Sequence, residues 1–264
     1  MISYPQIDPI IFSLGPLKVR WYGLMYVLGF MAVHFIGLYQ IKKYRINFLA
    51  DHFENLNFIL ILGLIIGARI GYVTVYNPSY YLQHPGEALA IWQGGMSFHG
   101  ALFGLAVFGW LYCRKNQLPF LRTADVYAVT APVGLGLGRI GNFINGELFG
   151  RVTDSPLGMI FPYGGPLPRH PSQLYECLLE GLLLFVILWT LKGFSYKRHW
   201  PGGSLMAAFL IFYGLFRSFA ELFREPDAQL GFLLGPLTMG QLLSGLMILA
   251  GVAILFHNRK SWSA

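Results

Sequence analysis

The sequence predicts an all-α, polytopic integral membrane protein with about seven transmembrane helices, its N-terminus outside and its C-terminus in the cytoplasm. Three observations predict it. The 264 residues are 55% hydrophobic and 16% aromatic but only 12% charged, and the mean hydropathy is +0.53. So much apolar surface does not fit inside one soluble core, and lipid must solvate part of it. Seven apolar runs approach the roughly 20 residues that a helix needs to cross the hydrocarbon layer. The cations between those runs alternate between one side and the other, as the excess of Lys and Arg on cytoplasmic loops requires.

The elements follow in order. The first span, 21–41, is followed by Lys42, Lys43 and Arg45. The second, 55–76, is followed by a segment, 77–95, with no Lys or Arg, which places that loop outside. The third, 96–112, ends at Arg114, Lys115 and Arg122, and the fourth covers 124–141. The fifth, 172–191, ends at Lys192, Lys197 and Arg198; the sixth is 202–223, and the seventh, 239–256, ends at Arg259 and Lys260. The segment before Trp21 has no small-residue cleavage pattern, so a removable signal peptide is not expected. Cys113 and Cys177 are too few for a disulfide framework and lie in apolar runs as small buried hydrophobes. The formal charge of +7 is accounted for by the cytoplasmic loops, so no nucleic-acid partner is implied.

Eight cations serve no such topological purpose: Lys18, Arg20, Arg69, Arg139, Arg151, Arg169, Arg217 and Arg224. Seven are arginine, whose planar fork matches a phosphate or carboxylate at two points. Arg69, Arg139 and Arg217 lie within spans, where a guanidinium costs about 2.5–3.5 kcal/mol on insertion scales and persists only with a partner or a task. Arg139 and Arg217 stand in dense polar runs, GRIGNFINGELFGR from Gly138 and FYGLFRSFAELFREPD from Phe212. In the first run the glycines allow the backbone to turn, and Arg139, Asn142 and Asn145 can offer donors to one anion. In the second, Arg217, Glu221 and Arg224 are spaced to share a helical face, with Glu221 and Arg224 reading as a structural pair. Arg69, flanked by Gly67 and Gly71, reads as a snorkelling or paired residue. Glu176 and Glu180, four apart in the fifth span, are suited to hold an arginine in place. His99, early in the third span, is either a packing residue or a neutral proton acceptor facing a polar cavity. Tyr22 and Tyr26 read as interfacial aromatics and then as site walls.

Taken together, RWYGLMYVLGF from Arg20, GGMSFHGALFG from Gly94, GRIGNFINGELFGR from Gly138, LPRHPSQLYE from Leu167 and FREPDAQ from Phe223 resemble the bacterial prolipoprotein diacylglyceryl transferases. The likeness runs from the first span to the last. It implies a single transmembrane catalytic domain over 1–264, with short periplasmic elements near 77–95 and 142–171. The implied setting is the bacterial inner membrane, with the active site toward the periplasm. The implied reaction moves a diacylglyceryl group from phosphatidylglycerol to the lipobox cysteine of a preprolipoprotein signal peptide, forming a thioether and releasing glycerol phosphate. By the same resemblance His99, Arg139 and Arg217 are catalytic, and Tyr22, Asn142, Glu147 and Gly150 join the two arginines in binding the lipid. No metal or other cofactor is expected, since the sequence has no Cys/His ligand cluster. A transporter using the same arginines would be expected to show an internal repeat, and neither polar run has a second copy.

Overall fold

A computed structural model describes residues 2–15, 17–225, 232–234 and 237–258. Arg259 and Lys260, expected on the cytoplasmic side, and the 226–229 part of FREPDAQ lie outside the described residues. Each of the seven apolar runs is helical. In chain order the elements are β1 Ile10–Leu14, β2 Leu17–Arg20, α1 Trp21–Tyr44, α2 Asn47–Ala50, α3 Phe53–Gly71, α4 Pro78–Gln83, α5 Phe98–Lys115 and α6 Phe120–Asn145. They continue with α7 Ser172–Glu176, α8 Leu184–Lys197, α9 Ser204–Ala220, β3 Phe232–Leu234, β4 Leu237–Thr238 and α10 Met239–His257. Among the described residues, four stretches are long and apolar enough to cross a bilayer: Trp21–Tyr44, Phe53–Tyr76, Ser172–Lys197 and Met239–His257. Ser204–Ala220 is a shorter apolar helix. Exposed Phe35, Phe58, Leu246, Leu249 and Phe256 give these helices the apolar outer faces that lipid would cover.

The all-α expectation needs two additions. Two antiparallel hairpins, β1–β2 and β3–β4, occupy short stretches just before α1 and α10. Too few residues long to show a period of two, they left no clear strand pattern in the sequence. Lys192 is also corrected. Expected on a loop, it lies within α8, almost fully buried, with its ammonium over the Trp189 ring.

The helices separate into two compact units, Met1–Gly37 with Ala124–Ala264, and Leu38–Thr123. In the second unit α3 packs on α5 through glycines. A Cβ on Gly71 would lie 2.8 Å from the Gly100 Cα, and one on Gly67 would lie 2.7 Å from the Gly104 Cα. Small residues four apart let backbones approach where lipid supplies no hydrophobic drive between helices.

In the first unit α6 is the central strut. Gly136 meets Gly181, where an added Cβ would lie 2.7 Å from the Gly136 Cα, and Gly141 meets Tyr22 of α1, where an added Cβ would lie 2.8 Å from the ring. Val129, Leu184, Leu188, Leu205 and Tyr213 form the core beside it. At the far end of α6, buried Asp125 accepts hydrogen bonds from the backbone N–H groups of Gly203 (2.7 Å) and Met206 (2.8 Å), so a residue on one helix caps the N-terminus of another. The partners of Asp125 lie 78 and 81 residues away along the chain, beyond the reach of any local pattern. Asp125→Ala is expected to cost about 1–2 kcal/mol, read as a lowered thermal midpoint in detergent. A midpoint equal to the parent's would remove the cap from the stability account.

Candidate active site

The polar run from Gly138 does not break the helix where its glycines suggested. α6 runs on to Asn145, and the chain leaves it at Gly146, with φ +67°, and Leu148, with φ +56°. Arg139 and Asn142 therefore share one face of the last two turns, three residues apart. Opposite Arg139, α7 gives way at Cys177–Leu183 to a π-helical stretch. The Gly181–Gly136 contact presses that wide turn onto α6 and carries Glu176 and Glu180 with it.

The result is a buried ionic cluster built by α6, α7, the π-helical stretch and α9. Arg139 donates through Nε to Glu176 Oε2 at 2.6 Å, and its Nη2 lies 3.7 Å from Glu180 Oε2. Arg217 places Nη1 3.0 Å from Glu176 Oε1 and 3.6 Å from Glu180 Oε1, and its Nη2 pairs with Glu221. Arg224 adds a third guanidinium, 3.8 Å from Glu176 Oε1. Glu221 also accepts a hydrogen bond from Thr238 Oγ1 at 2.9 Å. Glu176 and Glu180 are 1% and 0% exposed, whereas the Arg139 side chain keeps 15% and that of Arg217 11%. The carboxylates thus form the floor, and the arginine side chains keep more of their surface exposed. Three cations face three anions, which is how charges survive burial.

Several sequence expectations change here. Arg217, Glu221 and Arg224 do not share one helical face, because α9 ends at Ala220. Glu221 is its cap residue, turned toward Arg217, while Arg224 lies beyond it in a β-bridge with Gly150. Arg217, rather than Arg224, is thus the ion-pair partner of Glu221 that sets this corner. Gly150 acts through its backbone. Its N–H donates to the His170 carbonyl at 2.8 Å, and an added Cβ would lie 2.7 Å from His170 Cβ, so only glycine lets these strands meet and bring Arg224 to Glu176. Asn142 and Asn145 each give an amide N–H to the Glu147 carboxylate, at 2.9 and 3.0 Å, and hold that exposed acid rather than standing free for an anion. Gln173 and Ser172 fasten the same loop through the carbonyls of Glu147 (2.6 Å) and Leu148 (3.0 Å). Sequence reading assigned neither a role; their signal was the S-Q pair before Glu176 in the LPRHPSQLYE stretch.

Tyr22 lies against Gly141, with its hydroxyl 3.1 Å from that of Tyr26 and interacting with Asn142. Arg151 and Arg169 bind backbone carbonyls. Arg151 Nε donates to the Arg224 carbonyl at 3.0 Å, and Arg169 donates to Gly164 at 2.8 Å and Gly150 at 3.2 Å and pairs with Glu225. His170 sits among these strands, its proton affinity lowered by burial, which favours the neutral ring.

The remaining candidates belong to the other compact unit. His99 is exposed, on the first turn of α5, which Ser97 caps by accepting the Gly100 N–H at 3.1 Å. Arg69 is buried at the end of α3.

A family model for prolipoprotein diacylglyceryl transferase matches residues 9–257. Three similar proteins carry the name phosphatidylglycerol--prolipoprotein diacylglyceryl transferase. That of Desulfotalea psychrophila is 57% identical over 99% of this chain and 98% of its own length. That of Geobacter sulfurreducens is 52% identical over 98% and 99%, and that of Legionella pneumophila strain Paris 48% over 98% and 100%.

Proposed function

This chain belongs to the prolipoprotein diacylglyceryl transferase family, and from that premise we propose that it transfers a diacylglyceryl group from phosphatidylglycerol to the lipobox cysteine of preprolipoproteins, the first step of lipoprotein maturation. The observation that carries the reading is a buried cluster of guanidiniums, backed by carboxylates, in a chain matched by the family model along nearly its whole length.

The chemistry assigns the roles. The cysteine sulfur attacks the glyceryl carbon that bears the phosphate ester. The carbon–oxygen bond breaks, its electron pair leaves on glycerol phosphate, and a thioether remains. Charge builds on the departing phosphate, so donors already oriented toward it lower the barrier. Arg139 and Arg217 take that role, because Glu176 and Glu180 hold each guanidinium in place before the lipid arrives. The cluster itself is neutral, with three arginines and three glutamates, so an entering phosphodiester meets directed N–H groups rather than a bare positive field. Tyr22, Asn142, Glu147 and Gly150 frame the headgroup, with the Glu147 carboxylate suited to accept hydrogen bonds from glycerol hydroxyls. The thiol, with an ordinary pKa of about 8.5, is mostly protonated at neutral pH, and His99 receives its proton. Glu221 holds Arg217, and Arg224 joins it in closing the cluster.

The same reading extends to topology. Seven spans, an outside N-terminus, a cytoplasmic C-terminus and periplasmic elements near 77–95 and 142–171 make one catalytic domain in the bacterial inner membrane. Its active site faces the periplasm, where lipid and signal peptide arrive laterally. Support comes from the cation-free 77–95 loop and from the cations after the first, third and fifth runs.

The test uses purified protein with phosphatidylglycerol and a lipobox peptide, beside the same peptide with Cys→Ser. A gain of one diacylglyceryl unit with release of glycerol phosphate, only with cysteine, is the expected result. Lipid bound but never transferred, with binding lost in Arg139→Ala, would replace the transferase reading by one of lipid binding.

A further inference from the structure

We propose that Arg69 is a positioning residue for His99, setting through the 87–97 strap where the first turn of α5 holds the imidazole. The inference rests on the base role assigned to His99 above.

Arg69 stands in the last turn of α3, 6% exposed. Every nitrogen of its guanidinium is spent on backbone carbonyls: Nε on Ala88 (2.7 Å), Nη2 on Glu87 (2.7 Å), and Nη1 on Gly94 (2.7 Å) and Gly95 (3.1 Å). The rings of Tyr81 and Tyr72 lie 5.3 and 6.0 Å from its central carbon. One side chain therefore ties together two points of the strap, Glu87–Ala88 and Gly94–Gly95. The strap has little structure of its own beyond the short 3₁₀ turns Pro85–Leu89 and Ile91–Gln93. With four of its five N–H donors on carbonyls, Arg69 has no free pair of donors to offer an anion. A full charge held by carbonyl dipoles at a span's end persists only where it has a task, and here that task is geometric.

The strap leads directly to His99. Gly94 and Gly95 take φ +87° and +74°, and a Cβ on Gly95 would lie 2.5 Å from the Tyr72 ring and 2.9 Å from Arg69 Nη1. Two residues on, Ser97 donates its N–H to the Ala68 carbonyl at 2.9 Å and caps α5 through Gly100. Gly100 in turn packs on Gly67 and Gly71. His99 lies between the cap and that contact. The end of α3 thus holds both sides of His99, with the Arg69 fork fixing the approach. Lysine cannot replace it, since an ammonium is a single point and cannot span both ends of the strap.

The experiment measures kcat and KM for phosphatidylglycerol in Arg69→Gln, Arg69→Lys, Gly95→Ala and His99→Gln, and in each of the first three combined with His99→Gln. In the single variants at Arg69 and Gly95 we expect kcat to fall about ten- to a hundredfold, as small misplacements of a catalytic group do. KM should stay within about twofold, and Arg69→Lys should not restore the rate. Combined with His99→Gln, none should lower kcat further. Multiplying losses, or single variants at the parental kcat, would overturn the positioning role. His99→Gln alone at the parental rate would instead overturn the base role, and the positioning role with it, so the two failures are read from different variants. Gly95→Ala leaves Arg69 intact and carries the same comparison if Arg69→Gln does not fold.

Discussion

Arg139→Ala is expected to lower diacylglyceryl transfer by about a hundred- to a thousandfold, the usual effect of removing one oriented donor from a developing anion. The variant also disturbs the fold, because Glu176 and Glu180 then share fewer cations in a buried site, and breaking a buried pair costs about 3–5 kcal/mol. A second substitution separates the two effects. In Arg139→Ala/Glu180→Gln the cluster returns to balance, with Arg217 and Arg224 against Glu176 and Glu221. Glu180 is the right acid to neutralise, since both its approaches to guanidinium nitrogens are long, 3.6 and 3.7 Å, and neither of its oxygens has a hydrogen-bond partner. The double variant should regain much of the lost thermal midpoint and remain inactive. Recovery of transfer would make Arg139 a counter-ion only. Arg139→Lys keeps the charge but loses the fork, and full activity in it would rule out a two-point contact with phosphate.

Glu176→Ala should be the most destabilising change in the cluster, by about 3–5 kcal/mol. Its two oxygens meet all three arginines, at 2.6 Å to Arg139, 3.0 Å to Arg217 and 3.8 Å to Arg224, with only 1% of the residue exposed. Without it, three guanidiniums face two carboxylates where little water can screen them. Glu180→Ala removes weaker contacts and should cost less. Thermal midpoints of the two variants in one detergent check the order. Should Glu180→Ala unfold first, Glu176 is not the centre of the cluster.

The membrane class, the seven helical runs and the arginines at depth were legible in the sequence because each is a local property. Hydropathy over about 20 residues and the sign of charge between runs depend on neighbours along the chain. The two arginines that matter were also visible, since a guanidinium among apolar residues is costly enough to be conspicuous. The partner of each was not. Glu176 and Glu180 announced themselves by spacing, yet their pairing with Arg139 and Arg217 depends on Gly181 meeting Gly136, 45 residues earlier in the chain. The same holds for Asp125, capping a helix 78 residues away, and for Arg69, whose four carbonyl partners lie in a loop without periodicity. Gly138 and Gly141 suggested a break that α6 does not make, because packed helices satisfy the backbone at depth, and Gly141 serves close approach to Tyr22 instead. The sequence by itself thus determined which runs form apolar helices and which charged residues within them need partners. Only the tertiary structure decided which charge neutralises which, because compensation of a buried charge falls off over a few ångströms and is set by helices distant in sequence.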